Sequence, residues 1–147
     1  MSMSINFYIC KYVYRSTIYS FSYKQGYPKD DNGHGGGFVF DCRSIHNPGR
    51  FQPYKKLTGR DDSVKVFLEE ESEIGLFLKD VFSLVDRSVE KYIEREFDAL
   101  SVYFGCTGGQ HRSVYSADAL AKHLSAKFSV KTEVLHIEQE KKNWINE

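Results

Sequence analysis

Neither sign of charge prevails in this chain: 20 Lys and Arg are matched by 20 Asp and Glu, for a formal net charge of zero. A dedicated nucleic-acid binder carries a strong basic excess, so any contact with RNA or DNA has to come from a local patch. Cysteine is scarce, with Cys10, Cys42 and Cys106 the only three in 147 residues. An odd, widely spaced set makes no disulfide framework and fits the reduced thiols of a cytoplasmic protein. Long apolar runs are missing too; nothing approaches the roughly 20 residues that a membrane span needs. The apolar start "INFYIC" meets Lys11 after six residues, too short for the apolar region of a signal peptide. No H-E-x-x-H or C-x-x-C spacing occurs, so neither a metal nor another cofactor is expected. These lacks point to a cytoplasmic, soluble protein without a membrane partner.

What is present suffices to fold. A chain 41% hydrophobic and 27% charged is a globule, and its length allows a real core. We expect one domain over 1–147, its core spanning about 17–137. "TIYSFSYK" (17–24) alternates like a half-buried strand, and "FVFD" (38–41) and "LSVYFGC" (100–106) read as buried strands. "GYPKDDNGHGGG" (26–37) has no periodicity and reads as a loop. Ser63 is placed as the cap of a short helix carrying Val64, Phe67 and Leu68. A longer helix follows with Ile74, Phe77, Leu78, Val81, Val85, Val89 and Tyr92 on one face. Val114, Ala117, Ala121, Leu124 and Phe128 mark another helix, and "KTEVLHI" (131–137) a last strand. "EQEKKNWINE" ends the chain as a polar tail or a terminal helix. The order predicts an α/β fold, with a small, mostly parallel sheet flanked by helices. Ligands of such sheets sit outside the carboxyl ends of the strands.

"GCTGGQHRSVY", Gly105 to Tyr115, stands where a strand ends and a helix begins. Thr107, Gly108 and Gly109 can expose successive backbone N–H groups, and the helix near Ser113 adds unpaired donors and a positive dipole end. With His111 and Arg112 beside it, this is an anion site, since Arg grips phosphate oxygens in bidentate fashion. A bare strand–helix turn would leave Gln110, His111 and Arg112 unexplained. The pattern is neither a Walker loop nor G-x-G-x-x-G. Cys106, five residues and Arg112 also match the spacing of a cysteine phosphatase loop, with Cys106 as thiolate nucleophile. That alternative needs a general acid, and no proline here touches an Asp.

"GGFVFDCRSIHNPG", "LTGRDDSVKVFL" and "GCTGGQHRSVYSADALAKHL" together resemble the C-terminal domain of the RapZ family of RNase adapter proteins, over about residues 17–137. The resemblance is to that domain standing alone, without the family's N-terminal nucleotide-binding P-loop domain. It implies a non-catalytic sensor or adapter that binds an amino-sugar phosphate (a hexosamine phosphate), RNA and a protein partner. Carried over by position, the matching residues are Asp41, Arg43, Asn47, Thr58, Gly59, Cys106, Thr107, Gly108, Gly109, His111, Arg112 and Ser113. Gln110 stands where the family commonly has a basic residue, and the C-terminal basic cluster is reduced to Lys141 and Lys142.

Other residues have two readings. Asp41 and Arg43 flank Cys42 and point to one side of the sheet, either to pair with each other or to reach the anion. Cys42 itself is expected in the core. Arg50, Lys55, Lys56 and Arg60, with Lys141 and Lys142, are the candidate RNA contacts, or else a solvated loop and tail. Tyr8, Tyr12, Tyr14, Tyr19 and Tyr23 are either core aromatics or a stacking surface for bases. His34 and His46 are read as solvated loop residues and His123 as a surface residue. His136 reaches the crevice only if the resemblance extends to it.

Overall fold

Four parallel strands form the centre of an α/β fold in the computed structural model, which describes residues 14–30 and 32–147. They are β1 (Arg15–Ser22), β2 (Phe38–Asp41), β3 (Ala99–Cys106) and β4 (Lys131–His136), in the order β2-β3-β1-β4. The expected "mostly parallel" sheet is wholly parallel among the described residues. The first strand begins and ends two residues earlier than alternation suggested. Arg15 and Ser16 pair with Ala99 and Leu100, and Ser22 is the last residue opposite β3. Tyr8, Tyr12 and Cys10 lie outside the described residues.

Alternation divides the sheet into two faces. Ile18, Leu100, Val102, Phe104 and Cys106 enter the main core, and Tyr19, Phe21 and Tyr103 form a second cluster. Tyr19 and Tyr103, partners across β1 and β3, stack at 4.6 Å. The described tyrosines are thus largely core, with Tyr14 buried and Tyr23 half-buried.

Three helices cover the main core, α1 (Asp62–Glu71), α2 (Ile74–Glu94) and α3 (Arg112–Phe128), while α4 (Ile137–Lys141) sets Ile137 against the second cluster. None is long and apolar enough to cross a membrane. The stripe on α2 buries Ile74, Leu78, Val81, Val85 and Val89, and α3 buries Val114, Ala117, Leu120 and Leu124. Ser63 does not cap α1. The cap position is Asp61, whose carboxylate instead accepts from Thr58 N at 2.7 Å, and Ser63 lies inside the first turn. Ser72 separates α1 from α2, its hydroxyl accepting from Ile74 N at 3.2 Å. His123 is not simply a surface residue: it stacks on Phe82 at 4.2 Å and bonds Asp86 at 2.8 Å. Asp86 also takes Lys127 at 2.8 Å, which ties α2 to α3.

Candidate functional site

Register brings three strand ends together, because Ser22 pairs with Cys106 and Asp41 with Gly105. Gly105 is required there: a Cβ would meet the rings of Phe21 and Tyr23. Beyond Cys106 the chain turns through Thr107, Gly108 and Gly109, with Gly109 at φ +62°, a conformation that favours glycine. α3 then starts at Arg112 without a side-chain cap, so its first N–H groups keep their polarity toward the turn.

A cleft of about 210 Å³ opens at this end of the sheet. Lys24, Asn47, Gly49, Lys55, Cys106, Thr107, Gly108, Gln110, His111 and Arg112 line it, and among the described residues no carboxylate does. Larger cavities of about 570 and 470 Å³ elsewhere include Glu96 and Asp98, or Glu71, Glu73 and Asp80, the wrong charge for an anion. Lys24 and Gly49 are the lining residues that motif reading missed. The signal for Lys24 was its place just past the end of β1, the strand beside Cys106.

Arg112 is 4% exposed. Its Nη1 donates to the carbonyls of Arg43 (2.9 Å) and Ile45 (2.8 Å), and Nη2 reaches Thr107 Oγ1 at 3.5 Å. Its Nε is buried with no partner, and among the described residues no carboxylate lies within ion-pair distance of the guanidinium. An unpaired buried cation costs several kcal/mol unless an anion joins it, so the site is unbalanced by one negative charge at least.

The neighbours are held in place by backbone. His111 Nε2 donates to Tyr54 O at 2.8 Å, and Gln110 Nε2 to the carbonyls of Lys55 (2.7 Å) and Leu57 (2.8 Å). Burial lowers the His111 pKa, and Arg112 adds to this, so the imidazole is neutral at pH 7. Asn47 Oδ1 accepts from Gly49 N at 2.9 Å. A Cβ on Gly49 would come within 3.2 Å of the His111 ring, a tight fit. Gln110 therefore serves as a stitch between the loop and residues 55–57, where a basic side chain would add charge to the cleft.

Other residues read from sequence are placed differently. Arg43 and Asp41 pair with each other at 2.8 and 2.9 Å, both half exposed, and Arg43 lies 3.7 Å over the Tyr23 ring. Thr58 and Gly59 are buried under the start of α3, where Gly59 N donates to Gln110 O at 3.0 Å. Ser113 is fully buried, and its Oγ shares a hydrogen bond with Cys106 Sγ at 3.1 Å. Cys106 is 2% exposed and Cys42 fully buried; burial pushes the Cys42 thiol far up. Arg60 forks onto Asp118 (2.9 and 3.1 Å), and Lys142 lies 3.8 Å from Glu138. Arg50, Lys56 and Lys141 are exposed. His34 bonds Asp98 at 3.0 Å and His46 the Glu71 carbonyl at 3.2 Å, both exposed. His136 does not reach the cleft: it is 1% exposed, between Ser20 and Asp118.

Fold and site together define a parallel α/β domain whose glycine loop and uncapped helix start shape a cation-lined cleft at the strand ends. The chain matches the RapZ C-terminal domain over residues 14–140 and belongs to that family. It is 38% identical over 127 residues to a nucleotide-binding protein of Acinetobacter baylyi, covering 86% of this chain and 42% of that one. A nucleotide-binding protein of Endomicrobium trichonymphae is 38% identical over 117 residues, 79% of this chain and 39% of its own. One of Xylella fastidiosa is 35% identical over 121 residues, 82% and 40% respectively. The chain thus spans about two fifths of the length of the curated relatives it matches.

Proposed function

We propose that this protein, as a single domain, holds a phosphorylated small molecule in the 106–113 cleft and works as a sensor or adapter without transforming it. A hexosamine phosphate is the candidate ligand. The observation that carries this reading is Arg112, a buried guanidinium with a free Nε and no carboxylate partner among the described residues. A phosphate monoester dianion would supply the missing charge in a cleft that Lys24, Lys55, Thr107 and Gly108 also line. The amide NH₂ of Asn47 is left to meet a sugar hydroxyl. The relatives' printed names speak of nucleotides, which share the phosphate; those names describe chains more than twice as long.

The phosphatase alternative lacks a carboxylic general acid: among the described residues no Asp or Glu lines the cleft, and Cys106 is buried against Ser113. Nor does RNA enter this reading. Of its six candidate contacts, Arg60 and Lys142 face carboxylates and Lys55 lines the cleft.

Calorimetry with glucosamine phosphate, a nucleoside monophosphate and inorganic phosphate, each against its unphosphorylated counterpart where one exists, tests the proposal. Binding is expected only where phosphate is present; equal binding of phosphorylated and plain sugar would refute it. The wild type should show no turnover of aryl phosphates between pH 5 and 8, and Cys106→Ser should bind within about threefold of wild type, because the Cys106 side chain is buried against Ser113 and serine can keep that hydrogen bond. Turnover that vanishes in Cys106→Ser would instead identify a cysteine phosphatase.

A further inference from the structure

We infer that residues 137–146 are a latch on the cleft, gripping it through Arg60, the positioning residue. The inference rests on the anion-binding reading only where ligand is concerned. Past β4 the chain folds back on itself. Gln139, fully buried, exchanges two amide hydrogen bonds with Asn146 at 3.0 and 3.3 Å, and Trp144 N donates to Gln139 O at 2.9 Å. Asn143 and Trp144 both sit at positive φ, +52° and +63°, and Asn143 N also donates to Glu140 O at 3.2 Å, so this turn closes α4 in a helix-ending motif that calls for a left-handed residue just past the cap. The turn sets the place of the Trp144 ring. It lies 4.6 Å from the Arg60 guanidinium and meets His136 edge-on at 5.4 Å.

From there two routes lead to the cleft. Arg60, clamped between Trp144 and Asp118, follows Gly59, whose N–H is bonded to Gln110 O. Residues 54–59 are then stitched to Gln110 and His111 by three further bonds to the carbonyls of Tyr54, Lys55 and Leu57. The second route is direct. A Cβ on Gly109 would come within 3.0 Å of Glu138 Cβ, so α4 abuts the glycine loop itself. Latch and loop are therefore close neighbours, with no room for a side chain between Gly109 and Glu138. Releasing one changes the freedom of the other, and a ligand that orders the loop tightens the latch in return.

Trp144 is the one tryptophan of the chain, so it reports its own state. In the full chain without ligand, Trp144→Ala should speed amide exchange at Gly59 by about fivefold or more, and Trp144→Phe should restore it to within about twofold of wild type. Arg60→Gln, which keeps the segment's own Gln139–Asn146 pair, should do the same if Trp144→Ala unfolds. Unchanged exchange at Gly59 in a folded variant whose 142–146 amides have been loosened would overturn the latch. Titrating inorganic phosphate, with heat and Trp144 emission recorded together, separates the two readings. Heat with a change in emission supports both, and heat without one overturns the latch alone. No heat overturns the phosphate site and leaves the exchange result to decide the latch.

Discussion

Arg112→Ala is expected to abolish most phosphate affinity, weakening it by about 1.5–3 kcal/mol, roughly ten- to a hundredfold. The guanidinium is the buried charge of the cleft, and its free Nε has no other acceptor in reach among the described residues. The substitution also acts on the fold. Nη1 satisfies the carbonyls of Arg43 and Ile45, which follow β2, and leaving both without a donor costs about 2–4 kcal/mol. Removing an unpaired buried charge offsets part of this, so the net loss of stability falls below that range. Arg112→Lys separates the two effects. Lysine keeps the charge but not the fork, so it cannot hold two carbonyls and a phosphate oxygen at once. Chemical denaturation with and without phosphate measures both. If Arg112→Ala binds phosphate as well as wild type, the anion is held elsewhere and the role of Arg112 is to fix the 43–45 turn.

Much of this architecture was legible in the chain. Strands β2 and β3, the helical stripe on α2 and the span of α3 follow from alternation and from three- and four-residue spacing, because each element buries one face against the same core. The cleft was legible in part. Thr107, Gly108, Gln110, His111 and Arg112 meet in it with Asn47, since glycines, a strand end and a helix start leave few other geometries. What the sequence could not convey is how polar side chains are shared. Arg112 had two carbonyls to hold as well as a ligand to meet. Asp41 and Arg43 pair with each other. Gln110, read as a lost cation, holds the carbonyls of Lys55 and Leu57. Lys24 escaped because it belongs to no motif; only the register of β1 against β3 brings it to the cleft.

His136 shows the same limit at a distance. Ser20, His136 and Asp118 come from three different elements, His136 lying 18 residues from Asp118 and 116 from Ser20, and no spacing announces them. Their order, hydroxyl to imidazole to carboxylate, is that of a hydrolytic triad. Yet Ser20 is fully buried and His136 nearly so, and none of the described cavities is lined by either. The three therefore act as a polar rivet through the fold, with Asp118 at its outer end, also holding Arg60.

Asp118→Ala is expected to be strongly destabilising for a polar substitution. It strands the His136 Nε2 donor, 1% exposed, and frees Arg60 from its fork. Breaking a fully buried pair by removing one partner costs about 3–5 kcal/mol; with the carboxylate a third exposed and Arg60 half exposed, about 2–3 kcal/mol is expected. Acid should reproduce part of this loss in the wild type. Burial by itself pushes the Asp118 carboxyl up, but His136 and Arg60 together outweigh it and hold its pKa at about 2, against 3.8 for an ordinary Asp. A depressed folded-state pKa means that the contribution is complete above the unfolded value and disappears as pH falls from about 4 through about 2. After a discount for exposure, this term is about 1–2 kcal/mol at neutral pH. Denaturation midpoints for wild type and Asp118→Asn, followed from pH 7 down to pH 2, should start apart by about that amount and converge. A gap that stays constant to pH 2 would show that the carboxylate's charge contributes nothing, and that only its hydrogen-bonding shape holds His136 and Arg60 together.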